Sequence, residues 1–258
     1  MLVFKYGINL TQPETNTIVN MICPNDTSDW RFQIVANTRN QIDVDKIDYI
    51  IRDCYHIGLT CGSDFTRIVT QCRVIGDTIC FPEKIRYNIF TLFTTRYRLH
   101  KQIYNHPTVI AYEFIVVEIL KEIMKGNHEF GDLTDSIVTC RFHHSLHQQK
   151  LFKRKHKVMI GEKLFNSPID REKYAIDPLL QTQIYKIGFV SGDKANPLDH
   201  VWFYSRRNPD EKFQLRKEEI SFIVPSTFQE SGIRWYCERE HAPMLEEKLK
   251  EFIESLDD

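Results

Sequence analysis

Hydrophobic residues recur at helical spacing from Asp43 onward. Ile47, Ile50, Ile51, Cys54 and Ile57 fall three or four apart, and Gly58 stands where a helix C-terminal glycine belongs. Phe65, Ile68, Val69 and Cys72 predict a second, short helix. Ile85, Ile89, Leu92 and Phe93 open a third that runs toward His106, where Pro107 interrupts. Residues 108–125 carry large apolar groups on most faces, which predicts a central helix, and another is expected near 131–147. Before Asp43, residues 14–38 read as short mixed segments, with a turn at Pro24-Asn25-Asp26.

After about residue 156 the period shortens to two. His156–Ile160, Ile184–Val190, His200–Tyr204 and Ile233–Cys237 read as strands by alternation and by their β-branched and aromatic content. Lys217–Ile223 predicts a short helix ended by Pro225. The last segment sets Leu245, Leu249, Phe252, Ile253 and Leu256 on one face, as in a helix packed on a sheet. The expected fold class is mainly α with a smaller α+β carboxy-terminal lobe. The helical region is placed at 1–155 and the lobe at 156–258.

Composition narrows the class. The 258 residues are 42% hydrophobic, enough for one large domain or two small ones. The 34 basic and 35 acidic side chains leave a formal charge of -1, which argues against binding nucleic acid by bulk charge. The apolar run Phe114-Ile115-Val116-Val117 stops at Glu118, far short of the roughly 18 residues of a membrane span. The opening MLVFKYGINL has neither a basic n-region nor a long apolar h-region, so an intracellular setting, nucleus or cytoplasm, is expected. Seven cysteines without a CxxC pair read as buried small hydrophobes in a reducing compartment.

The most informative stretch is the helix after Asp43. At about 100° per residue, Asp45, Tyr49 and Asp53 share an arc of roughly 80°, flanked by Lys46 and Arg52, with Ile47, Ile51 and Cys54 opposite. A solvated polar face has the same spacing, but does not explain a tyrosine among the charges. A carboxylate in the first turn suits the helix dipole or a metal ion.

The run from Ile34 to Gly58 resembles the deoxynucleoside triphosphate triphosphohydrolases of the sterile-alpha-motif and HD-domain type. Similar blocks follow in order: Phe93-Thr94-Thr95-Arg96, Leu99-His100 and Tyr104, Leu151-Phe152-Lys153, Asn196-Pro197-Leu198-Asp199-His200-Val201 with Phe203-Tyr204, and Ile233-Arg234-Trp235-Tyr236-Cys237. The resemblance covers nearly the whole chain. It implies the distal part of an HD-type catalytic core followed by a regulatory lobe, and cleavage of a deoxynucleotide to a deoxynucleoside and triphosphate with a divalent metal.

Residue by residue, the resemblance makes Asp45 a metal ligand and Lys46 a phosphate contact. Tyr49 and Asp53 become readers of the sugar 3′-hydroxyl, and Arg96 and Tyr104 substrate-pocket residues. Arg67, Lys84, Asn88, His106 and Lys217 match contacts to nucleotide effectors held between subunits, and Lys153 a contact to a guanine nucleotide. Gln149, Pro82 and Pro107 depart from it where the family has cations. No His-Asp dipeptide occurs in the sequence, so of the metal ligands only Asp45 is matched. The expectation is therefore the carboxy-terminal half of such an enzyme, inactive alone, and a homo-oligomer or partner of a full-length relative.

Two other readings stand beside it. One is a non-enzymatic nucleotide-binding modulator of a full-length relative. The other is a nucleic-acid-binding module built on Lys150, Lys153, Arg154, Lys155 and Lys157, where Phe152 alone supplies a stacking ring and weak binding is expected. A solvated face or effector rim explains the same basic run. His143, His144 and His147 contain an i, i+4 pair without a third ligand, as an exposed helix end also would.

Overall fold

The computed structural model describes residues 9–24, 29–124, 157–165, 171–189 and 196–256. The helix expected near 131–147, the three histidines, Gln149, the boundary at 155/156 and all of the basic run except Lys157 lie outside them. Among the described residues the fold is mixed α/β. They group into two compact units, one drawn from 1–99 and 188–229, the other from 100–187 and 230–258.

The first unit begins with α1 (Gln12–Ile22), in the region read as short mixed segments. Its start is a reciprocal cap: Thr11 Oγ1 accepts from the Glu14 amide, and the Glu14 carboxylate accepts from the Thr11 amide. No residue of α1 is buried, which is why hydrophobic spacing does not reveal it. Then α2 (Val44–His56) buries Ile47, Ile50 and Cys54 and ends at Gly58, whose φ of 69° an L side chain rarely adopts. Ile51, expected on the inner face, is 40% exposed. The short α3 (Thr66–Thr70) buries only Ile68.

A hairpin follows, between the segments read as the second and third helices. β1 (Arg73–Ile75) and β2 (Thr78–Pro82) pair antiparallel across Gly76-Asp77, with Gly76 at φ 61° opening the turn. β2 also pairs parallel with β5 (Phe203–Tyr204), which pairs with β6 (Lys212–Phe213), giving the order β1-β2-β5-β6. The main helix of this unit is α4 (Arg86–Leu99), which buries Ile89, Phe90, Leu92, Phe93, Thr95, Arg96 and Leu99.

In the second unit the chain makes a π-helical turn, His100–Tyr104, before α5 (Pro107–Met124). Pro107 thus starts a helix, where its missing amide proton is no loss. α5 buries Ile110, Ala111 and Ile115 but leaves Val109, Tyr112 and Val117 at least 40% exposed, so in the described structure it is one-sided rather than central. β3 (Lys157–Phe165), β4 (Gln181–Gly188) and β7 (Gln229–Glu238) form a sheet with β7 in the middle. Ile233, Trp235 and Cys237 face α7 (Ala242–Glu254), while Tyr236 faces Ile110, Ala111 and Phe114 of α5. β7 is buried on both faces from Ser231 to Cys237. In the first unit, α6 (Lys217–Ile220) ends well before Pro225.

Candidate functional site

A loop closed by its own side chains sets the start of α2. Asn37 Oδ1 accepts from the amides of Arg39 and Asn40, Asn40 Oδ1 from that of Ile42, and Asn37 Nδ2 donates to the Ile42 carbonyl. Asn37, Asn40 and Asp43 are all buried. Buried amides and carbonyls need partners, and the two asparagines supply them where no helix or sheet can.

Asp43 caps α2. Its carboxylate accepts from the amides of Asn37 at 3.0 Å and Lys46 at 2.9 Å, and lies 2.6 Å from Lys46 Nζ. Its side chain has no exposure at all, and that of Lys46 has 17%. The lysine read as a phosphate contact is therefore held over the first turn of α2 by the capping carboxylate. Asp45 beside it is exposed.

Tyr49 lies one turn further along, half-buried. Burial pushes its phenol above the usual tyrosine range, against the pull of a hydrogen bond and charge from Arg96, while the Asp45 and Asp43 carboxylates add to the rise. The same phenol thus senses α2 carboxylates and a guanidinium of α4. Asp53 is half-buried one turn beyond.

Arg96 is 6% exposed. Its Nη1 donates to the carbonyls of Gly188 at 2.9 Å and Phe189 at 3.2 Å. Those carbonyls are fixed because the Phe189 ring packs among Phe90, Phe93, Tyr97 and Phe228. Asp45, Lys46, Tyr49 and Arg96 are thereby gathered in the first unit.

The other expected residues are placed as follows. Arg67, Lys84 and Lys217 are exposed in the first unit, with Lys217 4.0 Å from Glu218. Asn88 Nδ2 donates to Ser63 Oγ at 2.5 Å. In the second unit Tyr104 stands edge-on to His100 with ring centroids 4.9 Å apart, and His106 Nδ1 accepts from the Thr108 amide at 3.2 Å. Lys153 lies outside the described residues.

The metal centre that the resemblance implies needs several donors converging with Asp45. Among the described residues the one group of three candidate ligands is Glu238, Glu240 and His241, at the end of β7, and Asp45 is not in it. The described residues therefore do not assemble that centre.

A second polar cluster was not foreseen from the sequence. In the second unit Arg234 Nε lies 2.7 Å from Glu162 Oε1, and Tyr185 Oη donates to the same oxygen at 2.5 Å. The guanidinium also lies over the Tyr185 ring, 4.3 Å from its centroid, and donates to the Asn105 carbonyl. With the Arg234 side chain 5% exposed, this is a cross-strand ion pair that joins β3, β4 and β7. Residue type and position along one strand carry no sign of it.

The fold is a mixed α/β arrangement, and the polar cluster mounted on α2 and α4 combines acidic, phenolic and cationic groups. No protein-family model matches the chain. It is similar, at 29% identity over 243 residues, to the "Deoxynucleoside triphosphate triphosphohydrolase SAMHD1 homolog" of Dictyostelium discoideum, covering 80% of this chain and 46% of that protein. The SAMHD1 triphosphohydrolase of Gallus gallus is 27% identical over 275 residues, 86% of this chain and 44% of its own. A "Putative HD domain-containing protein L394" of Acanthamoeba polyphaga mimivirus is 23% identical over 80% of this chain and 54% of its own. In sequence, then, the chain is SAMHD1-like, as the Ile34–Gly58 run implied. It spans a little under half the length of the first two of these relatives.

The fold is also similar to a crystal structure of a hypothetical protein from Aquifex aeolicus, with a TM-score of 0.69 over 96% of this chain and 70% of that one. At 17% identity this likeness concerns the fold alone. No helix among the described residues is long and apolar enough to cross a membrane.

Proposed function

We propose that this chain is part of a deoxynucleoside triphosphate triphosphohydrolase, supplying one wall of its nucleotide pocket. The observation that carries the reading is the Tyr49 phenol, set between the carboxylates at the start of α2 and the Arg96 guanidinium of α4. The named activity of the SAMHD1 relatives agrees with such a wall. Lys46 and Arg96 answer phosphate charge. Tyr49 and Asp53, stacked along one side of α2, fit and hydrogen-bond a sugar edge. Arg67, Lys84, Asn88, His106, Lys153 and Lys217 serve as effector contacts in an oligomer, on the same resemblance.

The chain alone does not hydrolyse nucleotides, because Asp45 has no companion ligands among the described residues. It binds a deoxynucleotide without turning it over. Equilibrium dialysis with a deoxynucleoside triphosphate and magnesium tests this. Saturable binding that weakens about tenfold in Asp53→Asn and in Lys46→Met is expected. Absence of binding, or binding indifferent to both substitutions, contradicts it.

A further inference from the structure

The turn that joins β7 to α7 brings three metal-ligating side chains together. One donor atom each from Glu238, Glu240 and His241 lie within 4.8 Å of one another. Glu238 ends β7, Glu240 sits in the turn, and His241 occupies the N-cap of α7. The backbone between them is fixed. The His241 amide donates to the Glu238 carbonyl at 2.9 Å, and the Leu245 amide donates to the His241 carbonyl at 3.2 Å. Ligands so close along a closed turn lose little chain entropy in meeting one ion.

An N-cap side chain ordinarily accepts from an amide of the first helical turn. That of His241 makes no such bond, and its Nε2 instead stands 3.8 Å from Glu240 Oε1. The imidazole is thus presented to a carboxylate and not to the helix. Two carboxylates held this close repel each other, and a cation between them relieves that repulsion.

The donor set selects the ion. One imidazole nitrogen with two carboxylate oxygens suits zinc and its first-row neighbours, whereas calcium and magnesium take about six or more ligands, nearly all oxygen. On a tetrahedral zinc with bonds of about 2.0–2.2 Å, donors stand about 3.3–3.6 Å apart. Side-chain rotation closes that gap, since the Glu240 side chain is 74% exposed. Ligation through one oxygen of Glu238 leaves the other for the hydrogen bonding that ligating carboxylates keep.

We propose that Glu238, Glu240 and His241 bind a zinc-type divalent ion, which ties the end of β7 to the start of α7. A fourth position is left to water or to a further ligand. The site lies wholly in the second unit and does not include Asp45. The inference does not depend on nucleotide binding.

Cobalt(II), which reports its ligands by absorption, and zinc are the probes, added to the reduced, chelator-washed full chain. One cobalt per chain is expected, with the visible band of tetrahedral ligation and without the near-ultraviolet band of a thiolate ligand. Equimolar zinc should displace it and raise the thermal midpoint, because the ion binds the folded turn. Millimolar magnesium should not displace it. Glu240→Gln should weaken binding at least about tenfold, and His241→Ala should abolish both the band and the zinc-dependent rise. Circular dichroism of both variants should match wild type, because Glu240 is exposed and the His241 ring caps nothing. If His241→Ala does not fold, Glu240→Gln alone decides. Failure to bind, a thiolate band, displacement by magnesium, or binding indifferent to the substitutions overturns the proposal.

Discussion

The ammonium of Lys46 lies 2.6 Å from the carboxylate of Asp43, the residue that caps the helix carrying it. One carboxylate therefore ends the Asn37–Ile42 loop, starts α2 and aims the cation expected to meet phosphate. Asp43→Ala removes a cap worth about 0.5–2 kcal/mol and leaves the largely buried Lys46 charge without that partner, worth about 1.5–3 kcal/mol more. Chemical denaturation should show a loss of about 2–5 kcal/mol, with Asp43→Asn falling between wild type and Asp43→Ala. A loss below about 0.5 kcal/mol would mean that the cap is not structural.

Gln41 has a φ of 63°, the one non-glycine residue in the left-handed region among those described. That conformation costs an L-residue about 1–2 kcal/mol, while a glycine adds about 0.5–1 kcal/mol of lost chain freedom. Gln41→Gly should accordingly stabilise the protein by up to about 1 kcal/mol, raising the denaturation midpoint at constant slope. A lower midpoint would show that the Gln41 side chain makes a contact outweighing the strain.

How much was legible from residues alone differs between elements. α2 was, because its buried spacing, its Asp43 cap and Gly58 all point the same way. The β1–β2 hairpin was missed although Gly76-Asp77 between Val74-Ile75 and Thr78-Ile79 is a hairpin signal. The helical period on either side masked three-residue strands. α1 was missed because it buries nothing, yet Thr11-x-x-Glu14 is a readable capping box. The anchoring of Arg96 on carbonyls 92 and 93 residues away has no local signature. The same holds for Glu162, Tyr185 and Arg234, which meet only once β3, β4 and β7 have paired.

That trio sets a pH dependence. Burial works to raise the Glu162 carboxyl, but hydrogen bonds from Tyr185 and Arg234 hold it below its usual value of 4.5. A folded value below the unfolded one gives stability that is present above about pH 4.5 and lost as pH falls through the lower folded value. Glu162→Gln should cost about 1–3 kcal/mol near neutral pH. The gap to wild type should close in acid. A gap that persists at pH 2–3 would trace the loss to packing instead of charge.

The Cys61 thiol is pushed up to about 11, first by burial and then by its hydrogen bond with Cys54. The thiolate is the reactive form, so Cys61 should alkylate at pH 8 roughly a hundredfold more slowly than a free cysteine in a model peptide run alongside. Peptide-resolved mass spectrometry over a pH series reads both. An inflection for Cys61 near 8–9 would show that its thiol meets water freely.

Release of triphosphate most directly tests the proposal that the chain contributes a nucleotide wall but not a working metal centre. Purified chain with a deoxynucleoside triphosphate and magnesium or manganese should release no triphosphate above a protein-free blank. Release above the blank that disappears in Asp45→Ala would contradict the account, because it would show that Asp45 finds its companion ligands within this chain.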